Sequence, residues 1–194
     1  MAGTDPTRKI SVCVYCGSQP GNDPKYTETA YMVGQMLAAQ SKRLVYGGGN
    51  RGLMGAVARG TLEAGGSVLG IIPEFLKSLE QSESSGLLPD VDLITVPDMH
   101  TRKKRMFDEA DAFIALPGGI GTLEELVEVL TWAQLKQHTK PIILFDINGF
   151  WSCFADQLSR MAQSGFLHNV ENARPGIVSS TDQLEELLLN MDHE

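Results

Sequence analysis

The chain is poor in the features that mark several large classes of protein. Its three cysteines are too few, and odd in number, for a disulfide framework, and suit the reduced thiols of a cytoplasmic protein. Cys13 and Cys16 have CxxC spacing, but they fall in or at the end of a predicted strand. Residues three apart on a strand face opposite sides, which spoils both chelation and a redox pair. No second CxxC completes a zinc site, there is no HExxH, and His100, His138, His168 and His193 share no ligand spacing, so no metal is expected. No apolar run approaches the ~20 residues of a membrane helix. Residues 1–9 lack an apolar signal core and read as a flexible tail. Basic residues are also short: 16 Lys and Arg against 24 Asp and Glu give a net charge of -8. That balance favours solubility and argues against a nucleic-acid surface. A serine-hydrolase elbow, GxSxG, is absent.

What is present is a regular alternation. Strand-forming runs are predicted at residues 10–15, 43–46, 67–72, 92–96, 112–116 and 141–145, with a short edge strand near 177–179. Between them, apolar residues at helical spacing predict helices over 24–40, 53–64, 99–109, about 122–136, 150–164 and 182–191. Residues 73–90 are the least regular, a loop or short helix marked by serines, Gly86 and Pro89. Strands alternating with helices, without hairpin turns, imply right-handed βαβ units. The expected fold is α/β: a Rossmann-like, doubly wound, mainly parallel sheet with helices on both faces, in a single domain over 10–194. In such a fold ligands gather beyond the C-terminal ends of the strands. Three glycine-bearing turns, at 17–18, 47–52 and 117–121, follow strands and so open on that side.

The turn at 117–121 carries the sharpest signal. A glycine turn leading into a helix gathers backbone N–H groups at the positive end of the helix dipole, a site for an anion such as phosphate. Two carboxylates, Glu124 and Glu125, follow it in the first turn of the predicted helix. Thr122-x-x-Glu125 has capping-box spacing, with Thr122 as N-cap and Glu125 reaching back. The same Glu125, at the mouth of a phosphate site, could instead contact a ribose or orient a water. The P-loop lysine is missing. Gly47-x-Gly49-x-x-Gly52 fits the dinucleotide fingerprint, but it follows the second strand and lacks the acidic residue closing the next one, so NAD or FAD is not expected. Arg102 and Lys103 open a basic helix on the ligand side, where the Arg102 fork could pair with a phosphate or a carboxylate. Lys104 and Arg105 read as surface charges, and Trp132 and Trp151 as core.

Pro117-Gly118-Gly119-Ile120-Gly121-Thr122-Leu123-Glu124-Glu125 matches the signature PGGxGTxxE. With Cys16-Gly17-Ser18, Val45-Tyr46-Gly47-Gly48-Gly49, Gly52-Leu53-Met54-Gly55, Met99-His100-x-Arg102-Lys103 and Thr131-Trp132-Ala133-Gln134-Leu135, it makes the chain resemble the LONELY GUY (LOG) family. Its members are cytokinin riboside 5'-monophosphate phosphoribohydrolases, long mislabelled as lysine decarboxylases. The resemblance implies a modified Rossmann fold and a homodimer with its sites near the subunit interface. It implies hydrolysis of the N-glycosidic bond of AMP or N6-modified adenosine monophosphates, with no cofactor.

By motif position the resemblance makes Arg102 and Glu125 the catalytic pair. It places phosphate and ribose contacts on Gly118, Gly119, Ile120, Gly121, Thr122, Leu123 and Glu124, further contacts on Glu80, Met99, Lys103 and Thr131, and the pocket walls on Gly17, Ser18, Gly47, Gly48 and Gly49. Ile120 stands where plant members carry Tyr, and the stretch over 81–90 is a few residues longer than theirs, which suggests a bacterial-type member. Two rivals remain. A non-catalytic nucleotide carrier or sensor could use the same fold, as in molybdenum-cofactor carrier relatives. A decarboxylase would need pyridoxal phosphate on a lysine, for which only Lys103 is in reach.

Overall fold

The computed structural model describes residues 9–82, 88–169, 171 and 174–191, with the side chains of 79–82 outside that description. The tail expected over 1–9 therefore falls almost wholly outside the described residues. Seven strands form one parallel sheet: β1 (Ser11–Tyr15), β2 (Arg43–Tyr46), β3 (Val68–Pro73), β4 (Asp92–Val96), β5 (Ala112–Ala115), β6 (Ile142–Phe145) and β7 (Gly176–Val178). Their order is β4-β3-β2-β1-β5-β6-β7. Among the described residues six α-helices connect them and a seventh follows β7: α1 (Pro24–Ala39), α2 (Gly52–Glu63), α3 (Glu74–Ser82), α4 (Met99–Glu109), α5 (Ile120–Gln134), α6 (Ser152–Gln163) and α7 (Thr181–Asn190). None of the described helices is long and apolar enough to cross a membrane. The stretch left open between loop and helix is helical from Glu74 to Ser82.

The alternation along each strand divides the core into two layers. On β1, Val12 and Val14 face a layer built with Val33 and Leu37 of α1, Val57 of α2 and Leu184 of α7. Cys13 and Tyr15 face the other, with Met106 of α4, Leu126 and Val129 of α5, and Trp151. Strands buried on both faces need apolar residues at every position, which is why they read as continuous runs. Cys13 and Cys16 sit in opposite layers, as strand geometry requires. Trp151 is buried and donates from Nε1 to Ala115 O at 3.1 Å, while Trp132 is half-buried, edge-on to Phe107.

The layer of α1 and α2 depends on two small residues. A methyl group at Gly34 would lie 2.2 Å from Val57 O, and one at Gly60 would lie 2.1 Å from Tyr31 O. The two helices thus pack backbone against backbone, leaving no room for a side chain. Asp23 caps α1 by accepting from Lys25 N at 2.9 Å, and Pro24 occupies its first position.

The chain leaves β1 toward β2 and later returns to its other side as β5, so the order reverses between β1 and β5. At that reversal the connections on either side diverge and open a crevice at the strands' C-terminal ends. The two loops there are joined by Gly17 N donating to Pro117 O at 3.0 Å, just beyond the pairing of Leu116 N with Tyr15 O at 2.9 Å.

Candidate active site

The crevice is a cleft of about 480 Å³. The turns after β1, β2 and β5 all reach it: Gly17, Ser18, Gly47, Gly49, Gly119 and Gly121 form part of its wall. Ile120, Thr122 and Glu125 enter from α5 and Arg102 from α4.

Helix α5 begins two residues earlier than the sequence suggests. Its N-cap is Gly119, which offers no side-chain cap, and Ile120 is its first residue. Thr122 and Glu125 are then interior positions, so the capping-box reading and the placing of Glu124 and Glu125 in the first turn are corrected. Both Thr122 and Glu125 are buried inward on one side of the helix, three residues apart. The first N–H groups of a helix have no intrahelical acceptor. Leu123 N is the first to bond back, to Gly119 O at 3.1 Å, leaving the amides of Ile120, Gly121 and Thr122 directed at the cleft mouth. Helix α2 also begins at the cleft, but two of its leading amides are occupied: Leu53 N and Met54 N donate to Gly17 O at 3.0 and 3.3 Å. The anion-attracting end belongs to α5.

Arg102 is set by the start of α4. Asp98 caps that helix, its carboxylate accepting from Thr101 N at 2.8 Å; bonds from Thr101 hold the Asp98 carboxyl below its usual range. One turn later the Arg102 side chain folds under the sheet's edge and is 8% exposed. Its Nε donates to Ile71 O at 3.1 Å and its Nη2 to Gly47 O at 3.2 Å. Nη1 is left facing Glu125 Oε1, 3.2 Å away. Burial pushes the Glu125 carboxyl above its ordinary value, and the neighbouring Arg102 charge opposes that rise without cancelling it. Burial likewise raises the thiol of Cys16, which borders the cleft, well above the ordinary cysteine range; it is no ready nucleophile.

The remaining sequence-predicted residues lie elsewhere. Lys103 turns away from the cleft and bonds Glu124 and, at 3.2 Å, Glu128, tying α4 to α5 on the outer side. Met99 is half-buried, with its sulfur 4.0 Å from Arg102 Nη1. Gly48 has a left-handed φ of 79° and packs against Ile72 and Leu93 behind the wall. Gly118 lies beneath the turn, where a methyl group would lie 2.2 Å from Thr122 Oγ1. Leu123 is exposed on the outside of α5. Thr131 is exposed two turns further on, its hydroxyl donating to Val127 O at 2.7 Å. The side chain of Glu80 lies outside the described residues.

The cleft also contains residues that sequence reasoning missed: Gln19, Arg51, Met54, Ile72 and Leu76. Gln19 follows one of the turns already singled out and Arg51 lies inside another, so proximity to the glycines was their only signal. Met54, Ile72 and Leu76 form an apolar wall, and nothing in their spacing separates them from ordinary core.

Among known proteins, the sequence model of a family described as "Possible lysine decarboxylase" matches residues 54–191. A cytokinin riboside 5'-monophosphate phosphoribohydrolase of Rhodococcoides fascians is 43% identical over 169 residues, 87% of this chain and 83% of its own. The Arabidopsis thaliana enzyme of the same name, LOG2, is 44% identical over 180 residues, 91% of this chain and 81% of its own. A solved molybdenum cofactor binding protein from Rippkaea orientalis superposes with a TM-score of 0.67 at 26% identity, covering 96% of this chain and 99% of that one.

Proposed function

The chain belongs to the LONELY GUY (LOG) family of cytokinin riboside 5'-monophosphate phosphoribohydrolases, and on that footing we propose that it hydrolyses the N-glycosidic bond of AMP or of N6-modified adenosine 5'-monophosphates. Water adds its oxygen to C1' of the ribose, the bond from C1' to the base breaks, and the base leaves with the bonding electrons and a proton. The products are the free base and ribose 5-phosphate.

The observation that carries this reading is the buried Arg102–Glu125 pair standing in the same cleft as the open amides of α5. The phosphate binds those amides at Ile120, Gly121 and Thr122, where the helix dipole favours it. Holding the phosphate remote from the bond that breaks places C1' against the pair, so binding energy is used for positioning. Glu125 faces the positive charge that builds on the ribose and orients the water. Arg102 fixes Glu125 and supports the leaving base. Met54, Ile72 and Leu76 offer the base an apolar wall. Lys103 and Glu124 act by holding α4 against α5. A carrier or sensor would need the anion site but not a buried charge pair beside it. Lys103, held by two carboxylates outside the cleft, is poorly placed to form a Schiff base.

The active unit is a homodimer in the cytoplasm. Supporting the dimer, Ile120, Leu123, Val127 and Leu135 form an exposed apolar stripe along α5. Thr131 shares that stripe, where a second copy would bring it near the partner's cleft. The direct test is to incubate the protein with AMP, isopentenyladenosine monophosphate and the unphosphorylated ribosides, and to measure free base. Release from the monophosphates alone is expected. Cleavage of the ribosides but not the monophosphates would overturn the phosphate site.

A further inference from the structure

We propose that Gly47 is a positioning residue, which seats the Arg102 guanidinium against Glu125 through its carbonyl and through the space its missing side chain leaves. The inference deepens the proposed hydrolase reading and rests on it. Gly47 is not among the glycines with a left-handed φ, whereas its neighbour Gly48 is. The backbone at 47 therefore suits any residue, and some other constraint must account for a glycine there. That constraint is the guanidinium. A Cβ at 47 would lie 2.1 Å from Arg102 Nη2, 3.3 Å from Arg102 Cζ and 3.1 Å from Met54 Sδ. The same residue accepts from Nη2 through its carbonyl at 3.2 Å.

Together with the Ile71 carbonyl on Nε, this fixes the plane of the fork. Only Nη1 remains to meet Glu125, and it does so at 3.2 Å. Every one of these contacts is made by the protein's own groups, which pre-orients the pair. All the nearest atoms to the missing methyl group are the ends of two flexible side chains, Arg102 and Met54. A methyl group at 47 would therefore displace the guanidinium and leave the fold alone.

The test is Gly47→Ala in the full chain, alone and combined with Arg102→Ala. The expected single variant melts like wild type, loses about 10²-fold in kcat on AMP, the scale of a misplacement near 1 Å, and changes KM by less than about threefold, since the phosphate site is untouched. In the Arg102→Ala background the same substitution has no further effect, because its action passes through the arginine. The Glu125 carboxyl, followed by ¹³C NMR, titrates at higher pH in Gly47→Ala than in wild type, because the charge that lowered it has moved away. This titration needs no turnover, so it decides the role of Gly47 even if wild type releases no base and the hydrolase reading fails. Wild-type kcat and an unshifted Glu125 titration would overturn the inference. So would loss of the folded state, or an equal loss of activity in the Arg102→Ala background, since either would make Gly47 a structural residue.

Discussion

Replacing Glu125 by Gln isolates the charge from the shape. The two side chains are nearly isosteric, so the packing between α4, α5 and β1 is kept, and the amide oxygen can still accept from Arg102 Nη1. What is lost is one negative charge in a site where Glu125 is 9% exposed. A full positive charge on the ribose about 4 Å from a carboxylate is worth about 4 kcal/mol at an effective dielectric constant near 20. Each ~1.4 kcal/mol is a factor of ten in rate. The charge is only partly developed in the transition state, so kcat is expected to fall by about 10²–10³, the range seen when one stabilising group is removed. Binding of AMP should change little, because the phosphate is held by the amides of Ile120, Gly121 and Thr122. The assay is base release under saturating AMP, paired with calorimetric binding. Wild type should also lose activity as pH falls through the Glu125 pKa, above the ordinary carboxylate range because burial raises it; the variant should lack that limb. A raised carboxyl pKa weakens folding above it and the deficit fades as pH drops through it. Wild type therefore gains stability on mild acidification that Glu125→Gln does not. A variant within tenfold of wild-type kcat, still with the acid limb, would refute the assignment.

The glycines of the phosphate turn should separate into two kinds. Gly118→Ala sets a methyl group 2.2 Å from Thr122 Oγ1 and 2.9 Å from Gly17 N, so it should cost about 1–3 kcal/mol of stability in a urea melt as well as activity. Gly121→Ala meets nothing within 4 Å and should melt normally while raising the KM for AMP, because the methyl group intrudes only where the ligand sits. The proposed interface is tested by Val127→Glu, at a position 43% exposed in one chain; the variant should sediment as a monomer where wild type sediments as a dimer.

The fold was legible because its signals are local. A run such as Ile71 and Ile72 of β3 is apolar throughout because both faces of the sheet are covered, and glycines punctuate the strand ends where the chain must turn. Helix α3 was harder, since its serines resemble loop composition, and of its apolar residues Phe75 is exposed and Leu76 faces the cleft. Within the site, the anion-binding end of α5 was readable from the glycines alone. The roles of the charged residues were not. Arg102 and Lys103 are adjacent in a run of four basic residues, yet one is buried in the cleft and the other is clamped outside it by Glu124 and Glu128. Helical rotation of 100° per residue separates them, but only the positions of β3 and α5, fixed by long-range pairing, decide which side is which.

The same holds for Thr122 and Glu125, whose spacing fits a helix cap and an inward-facing pair equally well. What distinguishes the two is where the helix begins. With Gly119 as N-cap, no side chain covers the leading amides. A residue able to cap them would occupy the place of the anion, so the absence of a capping side chain is itself part of the site. Moving the start back two residues then carries Glu125 beyond the first turn, where it can no longer reach the helix end and meets Arg102 instead. One shift of register thus opens the phosphate site and assembles the charge pair together. Any substitution that gave Gly119 a neutral capping side chain, such as Gly119→Asn, should disable the first by filling it with a competing amide oxygen while leaving the second intact: AMP binding lost, the Glu125 titration unchanged.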